Sequence, residues 1–321
     1  MNDKVKCFIL GEETETFGEG KKMEEFPSYE DILKEVKGDI DIEKEWGKLV
    51  KYDASKNKRS FCGNKLVYQF FLEAMVKTRY KNGKTSQEIY DEDPAKVWER
   101  VCKIDRRKRR PPNGTDVFEL NRAITFFKPS IAKYLTTRFK AKKVLDPCAG
   151  WGGRMLGCVS AGADYLGYDT NPDLNPCFHT LKQLSFPESE GATWHVHMKS
   201  CLEPEPFYDE SGKIYDYDLC FTSPPYENLE VYEGMSPYES DEEYYVNFLI
   251  PMIDKCRRWV VPGYDPETGY VCINVSPKIY EKLTGFYGYP ECWGKIDFLQ
   301  QMGQKSGKKE DFIYVWGVII S

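Results

Sequence analysis

The sequence predicts an α/β protein: a mostly parallel sheet with crossover helices, preceded by a helical region. After Gly114, short β-rich runs alternate with helical ones, the pattern of repeated strand–helix–strand units. The first third instead places apolar residues three and four apart in a charged background. Two strand ends run into glycine- or proline-rich turns, the position where open α/β sheets hold ligands.

Taken in order, Ser28 to Lys37 and Leu66 to Arg79 have helical spacing. In the second, Leu66, Phe70, Phe71, Ala74 and Met75 fall on one face as a packing stripe. The run KIDRRKRRPP, Lys103 to Pro112, sets six basic residues against one acid and closes on a proline pair that stops a helix. A domain boundary is expected there, separating residues 1–112 from 113–321. Beyond it, strands are expected at Lys143 to Asp146, Asp164 to Asp169, Trp194 to Met198, Tyr217 to Thr222 and Tyr270 to Val275. Helices are expected at Gly153 to Ser160, Asn175 to Leu184 and Asp241 to Trp259, the last bent or broken at Pro251. Gly294 to Leu299 and Phe312 to Ile320, joined by the polar segment QMGQKSGKKED, read as an antiparallel hairpin with a long loop.

Composition narrows the class. A chain of 321 residues can bury one substantial core and carry a further module of about 100 residues. There is no apolar run long enough to span a membrane, and the start MNDKVKCFILGEE puts charges where a secretory signal needs apolar residues. A cytoplasmic protein is expected, in the host's cytoplasm if the gene is viral. The 11 cysteines are scattered without a CxxC pair, which argues against a zinc ribbon or a disulfide scaffold and for reduced, buried thiols. His195 and His197 share a strand face but lack a third ligand, so no metal is expected. With a net charge of -6, contact with phosphates has to come from a local patch such as Lys103 to Arg110.

Two motifs carry chemistry. In KVLDPCAGWGGR, Lys143 to Arg154, an apolar strand ends in Asp146 and enters a glycine-rich turn that opens a helix. Gly150 and Gly152 let the backbone approach a ligand, and the helix start offers free N–H groups to a nucleotide-like cofactor. Glycine used only to pack helix on sheet is the plainer alternative. The next strand, YLGYD, ends in Asp169, 23 residues after Asp146, where a carboxylate can accept both ribose hydroxyl protons. The second motif, FTSPPY, spans Phe221 to Tyr226. Pro224 and Pro225 hold the chain rigid and leave the Pro224 carbonyl as a fixed acceptor. Tyr226 offers a flat surface for stacking and Ser223 a small polar group. An ordinary proline-rich loop after a strand is the alternative here.

DPCAGWGG and TSPPY together resemble the cofactor loop and the SPPY or DPPY loop of the amino-methylating DNA methyltransferases, which act on cytosine N4 or adenine N6. ITFFKPSIAKYL, Ile124 to Leu135, is similar to the family segment that meets the methionine end of the cofactor. The resemblance covers roughly residues 117–321 and is nearest in style to phage-encoded members. It implies a Rossmann-like class I S-adenosylmethionine-dependent methyltransferase fold, with a seven-stranded, mostly parallel sheet and an antiparallel C-terminal hairpin. It implies S-adenosyl-L-methionine as cofactor, held by Phe127, Lys128, Pro129, Ser130, Asp146, Cys148, Ala149, Gly150, Gly152, Asp169, Thr170, Ser200, Cys201 and Thr222. It implies catalysis by Ser223, Pro224, Pro225 and Tyr226 on the exocyclic amino group of a base flipped out of duplex DNA, with no covalent enzyme intermediate. Residues 1–112 would then contribute to DNA binding and target recognition. A motif that begins with serine leans toward cytosine N4.

The chain departs from the family at Cys148 and Trp151, where phenylalanine and serine are usual. It also lacks the acid often found beside the adenine after Met198, leaving Ser200, Cys201 and Glu203 as candidates. The acidic segment Glu227 to Glu243 reads as a lid or as a solvated loop. RNA amino-methylation and a catalytically idle binding fold are the competing functions; the intact motifs argue against the idle fold.

Overall fold

The computed structural model describes residues 26–55, 60–80, 83–105, 114–121, 126–184, 191–203, 205–226, 230–231, 238–262, 268–298 and 311–319. Nine strands occur among them. β2 (Lys143–Asp146), β3 (Asp164–Asp169), β4 (Trp194–Met198), β5 (Leu219–Thr222), β7 (Thr268–Val275), β8 (Gly294–Phe298) and β9 (Asp311–Ile319) form a seven-stranded sheet in the order β4-β3-β2-β5-β7-β9-β8. The first five in that order pair in parallel, while β9 runs antiparallel to both β7 and β8. This order, with the antiparallel pair at one edge, is the class I S-adenosylmethionine-dependent methyltransferase fold. The remaining two strands, β1 (Arg79–Tyr80) and β6 (Glu230–Val231), form a short antiparallel ribbon.

Both sheet faces are covered, so the central strands are apolar throughout and alternate residues enter different cores. Val144, Tyr165, Leu219 and Cys272 face one core, and Leu145, Leu166, Cys220 and Ile273 the other. The first core is covered by α7 (Pro129–Arg138), α8 (Gly153–Ser160) and α9 (Asn175–Gln183); α10 (Ile250–Trp259) and α11 (Pro277–Glu281) cover the second. Helices α7 and α8 lie close enough that a Cβ on Gly157 would sit 2.3 Å from the Pro129 carbonyl oxygen.

The helix expected from Asp241 to Trp259 runs through Pro251 rather than breaking there. Residues Glu243–Leu249 widen into π-helix, with the N–H of Ile250 donating to the Tyr245 carbonyl, before α10 resumes. Pro251 thus falls in the first turn of the new helical register, where no N–H is required.

The first third forms α1 (Tyr29–Lys37), α2 (Ile42–Lys51), α3 (Asn64–Lys77), α4 (Ser86–Glu92), α5 (Pro94–Asp105) and α6 (Gly114–Asn121). Ser28 caps α1, and α4 opens on a capping box between Thr85 and Glu88. The expected stripe on α3 is broader than one face: Leu66, Val67, Tyr68, Phe71, Leu72, Ala74 and Met75 are all buried, while Phe70 is partly exposed. The reason is that α3 lies between the other N-terminal helices and the sheet domain. Phe71 meets Phe178 of α9 edge-to-face at 5.1 Å, and Tyr68 meets Phe126 at 5.2 Å. Lys133 of α7, itself buried, donates to the Leu49 and Val50 carbonyls at the end of α2. These helices therefore share a core with the sheet rather than forming a detached module. The boundary expected at residues 103–112 and most of the basic run lie outside the described residues.

Candidate active site

The carboxyl ends of β2, β3 and β5 bring the two motifs together. After β2 the chain turns through Gly150 and Gly152, both with positive φ (56° and 68°). Gly152 has two reasons to lack a side chain. Its backbone is left-handed, and a Cβ there would meet the Phe71 ring at 2.4 Å. Gly153, the first residue of α8, is pressed against the Phe127 carbonyl, 1.9 Å from where its Cβ would stand.

Asp146 organises this loop from behind. Its carboxylate is fully buried and accepts from Arg154 Nε, Tyr165 O–H and Thr222 O–H, each at 2.7 Å, and from the Cys148 N–H at 3.2 Å. Arg154 also donates to the Cys148 carbonyl. Thr222, at the end of β5, accepts from the same Cys148 N–H at 3.2 Å, so one buried network couples the glycine loop to the strand that carries TSPPY. Ala149 is tied to β3 through its N–H on the Tyr168 carbonyl at 2.8 Å.

Asp169 is placed differently. Only partly buried, it accepts from the Gly150 N–H at 2.7 Å and the Asn171 N–H at 2.9 Å, beside exposed Thr170. Burial raises its pKa above the ordinary carboxylate value, opposed by those two backbone N–H groups. Each carboxylate oxygen keeps a lone pair for a further donor.

Cys148 and Cys201 meet between the loops that follow β2 and β4. Their thiol–thiol contact, then burial, pushes the Cys148 thiol well above its ordinary range, so it stays protonated and is a poor nucleophile. Ser200 shapes the β4 loop by accepting from the Leu202 N–H at 3.2 Å, and the Cys201 carbonyl accepts from buried Lys255 at 2.7 Å. The methionine-end segment packs inward. Phe127 lies edge-to-face with Phe221 at 4.9 Å, Lys128 reaches over the Phe61 ring at 4.4 Å, and Pro129 starts α7. Ser130, fully buried, donates to the Ser60 carbonyl at 2.8 Å. Against Gly153 this segment presents the Phe127 carbonyl, and the Arg154 guanidinium lies over the Phe127 ring at 5.7 Å.

On the other side, Ser223, Pro224, Pro225 and Tyr226 leave the end of β5. The Pro225 carbonyl accepts from Tyr244 O–H at 2.9 Å. The Pro224 carbonyl has no donor among the described residues. Ser223 and Tyr226 both donate to Asn274 Oδ1, at 3.1 and 3.3 Å, across from β7. Asn274 was not among the residues singled out from sequence, although an amide inside the apolar run TGYVCINV is a signal that could have found it. His195 and His197 hydrogen-bond to each other at 3.3 Å, and His197 to the Tyr208 carbonyl at 2.9 Å. Of the acidic segment Glu227 to Glu243, residues 227–229 and 232–237 lie outside the described residues.

Several solved structures overlap with part of this chain. TrmN from Thermus thermophilus overlaps with a TM-score of 0.38 and 13% identity, over 60% of this chain and 49% of that one, about half of TrmN's length. An rRNA methylase from Streptococcus thermophilus gives 0.38 and 9%, over 62% and 100%. The N-methyltransferase NodS from Bradyrhizobium japonicum WM9 gives 0.36 and 9%, over 59% and 94%. No family model and no curated protein matches. The fold assignment rests on strand order and direction rather than on these overlaps. The site fits the S-adenosylmethionine expected from the sequence in two respects. The Gly150–Gly152 turn is bare of side chains, and the Asp169 carboxylate is half-buried at the next strand end. Among the described residues no helix is long and apolar enough to cross a membrane.

Proposed function

We propose that the chain is a DNA methyltransferase that acts on the exocyclic amino group of a base, cytosine N4 ahead of adenine N6, with the target flipped out of the duplex. The observation that carries this reading is the pairing, at adjacent strand ends, of a glycine turn beside Asp169 with a rigid Ser-Pro-Pro-Tyr loop. S-adenosylmethionine, when bound, supplies a methyl group on a cationic sulfur. Asp169 would hold the ribose hydroxyls, and the Gly150–Gly152 turn would take the methionine part.

The amino lone pair of a base is delocalised into the ring, so the protein has to draw the nitrogen toward tetrahedral geometry. Ser223 Oγ and the Pro224 carbonyl do this by accepting the two amino protons where positive charge develops. Bound S-adenosylmethionine would supply the methyl group to this nitrogen and retain the C–S electron pair, and the amino proton given up would pass to water. Neither acceptor is basic enough to keep that proton. Tyr226 stacks on the base and offsets part of the unstacking cost, about a few kcal/mol. The basic run Lys103 to Arg110 supplies the phosphate contact that a chain of net charge -6 otherwise lacks.

The test is nucleoside mass spectrometry of DNA from cells that express the protein, with Ser223→Ala and Tyr226→Ala controls. N4-methylcytosine is expected. Methyladenine alone would overturn the base assignment. In a parallel tritiated-methyl assay, transfer to RNA but not to duplex or single-stranded DNA would overturn the substrate.

A further inference from the structure

We propose that Asn274 is a positioning residue that commits Ser223 to accepting hydrogen bonds and thereby tunes the loop to a primary amino group; the inference rests on the base-methylation reading above. Asn274 is fully buried on β7, between the strand that carries the Ser-Pro-Pro-Tyr loop and the antiparallel strand β9. Its amide nitrogen donates to the Phe312 carbonyl at 3.1 Å, and its amide oxygen accepts from Ser223 at 3.1 Å and Tyr226 at 3.3 Å.

The chemistry of these partners fixes the direction of every bond. A backbone carbonyl has no proton to give, so the Asn274 nitrogen must face Phe312 and its oxygen must face the loop. That oxygen can only accept, so the hydroxyl protons of Ser223 and Tyr226 are drawn onto it. A serine hydroxyl free to turn could donate to a ring nitrogen or accept from an amino group. Held by Asn274, Ser223 presents only lone pairs to an incoming ligand.

Ser223 Oγ and the Pro224 carbonyl then form a pair of acceptors matched to the two protons of an –NH2 group. A ring nitrogen, a carbonyl or a carboxylate brought to the same place would meet lone pair against lone pair, which excludes it. The pair therefore favours a primary amino group, and in the base of the reading above the adjacent ring nitrogen would be turned away from Ser223. Tyr226 is tied to the same oxygen, so one buried amide sets both the acceptor and the stacking surface.

The experiment compares the purified full chain with Asn274→Ala, Ser223→Ala, the double variant and Asn274→Asp, which keeps acceptor oxygens. Asn274→Leu, similar in volume, replaces the alanine variant if its cavity unfolds the chain. Crystal structures report the Ser223 rotamer, calorimetry the affinity for S-adenosylmethionine, and tritiated transfer to mixed-sequence duplex DNA the kcat. Loss of Asn274 is expected to release Ser223 into several rotamers and leave cofactor affinity within about 2-fold. It should lower kcat about 10- to 100-fold. The double variant should fall no further than Ser223→Ala, because Asn274 acts through Ser223. Asn274→Asp, kept protonated by its burial so that its O–H replaces the amide donor to the Phe312 carbonyl, should keep the Ser223 rotamer and most of the activity.

A single, unchanged Ser223 rotamer without Asn274, or single-variant losses that multiply in the double variant, would overturn the proposal. If the wild-type chain transfers no methyl group to DNA while Ser223 still loses its rotamer, the substrate reading has failed and the hydrogen-bond lock stands.

Discussion

The backbone N–H of Gly150 donates to the Asp169 carboxylate at 2.7 Å, tying the glycine loop to the end of β3. If the same carboxylate holds the cofactor ribose, Asp169→Ala removes a charged hydrogen-bond acceptor and loosens the loop together. S-adenosylmethionine affinity should fall about 10- to 100-fold in a protein that remains folded. Calorimetry checks this, and an unchanged affinity in a folded variant would disprove the placement.

Acid should weaken cofactor binding for a related reason. Burial raises the pKa of Asp169, and only the ionised carboxylate accepts both ribose hydroxyl protons. Affinity is therefore full above the raised pKa and is lost as pH falls through it, at a higher pH than an ordinary aspartate would give. Calorimetric titrations across the mildly acidic range, repeated with Asp169→Asn, test the assignment: the variant's affinity should be weak and flat with pH.

Glycines 47 and 153 should respond to alanine in opposite directions. Gly47 lies inside α2 with nothing within 4 Å of where its Cβ would stand, so Gly47→Ala should stabilise the fold by about 0.5–1 kcal/mol. Gly153→Ala would drive a Cβ to 1.9 Å from a backbone carbonyl oxygen, displacing α8 from the methionine-end segment and lowering both Tm and cofactor affinity. Thermal unfolding of the two variants side by side reads both signs.

Removing the guanidinium from the buried network should be costly. Arg154→Met leaves the fully buried Asp146 carboxylate without its cation, a loss of about 3–5 kcal/mol. Urea unfolding measures it. Arg154→Met combined with Asp146→Asn should recover part of the loss, since no buried charge is then left unpaired.

Arg106, Arg107, Arg109 and Arg110 changed together to glutamine should lower DNA affinity and flatten its dependence on salt, because each lost phosphate contact removes about one unit of slope. Fluorescence anisotropy at several salt concentrations checks this, and an unchanged slope would remove the run from the interface.

The sheet was legible because its signals are local. Strands β2, β3 and β4 begin and end where the sequence placed them, since each is a short apolar run closed by a turn residue or an acid. The two motifs were legible for the same reason. What escaped was contact between distant segments. Asn274 gains its meaning only from Ser223 and Tyr226, 51 and 48 residues away, and from Phe312 across the β7–β9 pair. The change of texture near residue 110 marked the expected domain boundary, whereas the contacts across it, Phe71 on Gly152 and Lys133 on the end of α2, leave no mark in composition. Pro251 was expected to bend or break a helix; the helix changes register through a widened turn just before it and is not broken.

The way Lys133 and α3 join the N-terminal helices to the sheet domain also bears on how the protein is made. Helices α2 and α3 leave the ribosome well before their partners, since Lys133 lies 84 residues beyond the Leu49 carbonyl it caps and Asp173 lies 96 beyond Lys77. Until those residues emerge, Phe71, Leu72 and Met75 have no sheet domain to cover them. The nascent chain therefore presents an apolar helix for several seconds at ordinary elongation rates of about 5–20 residues per second before the sheet domain can cover it.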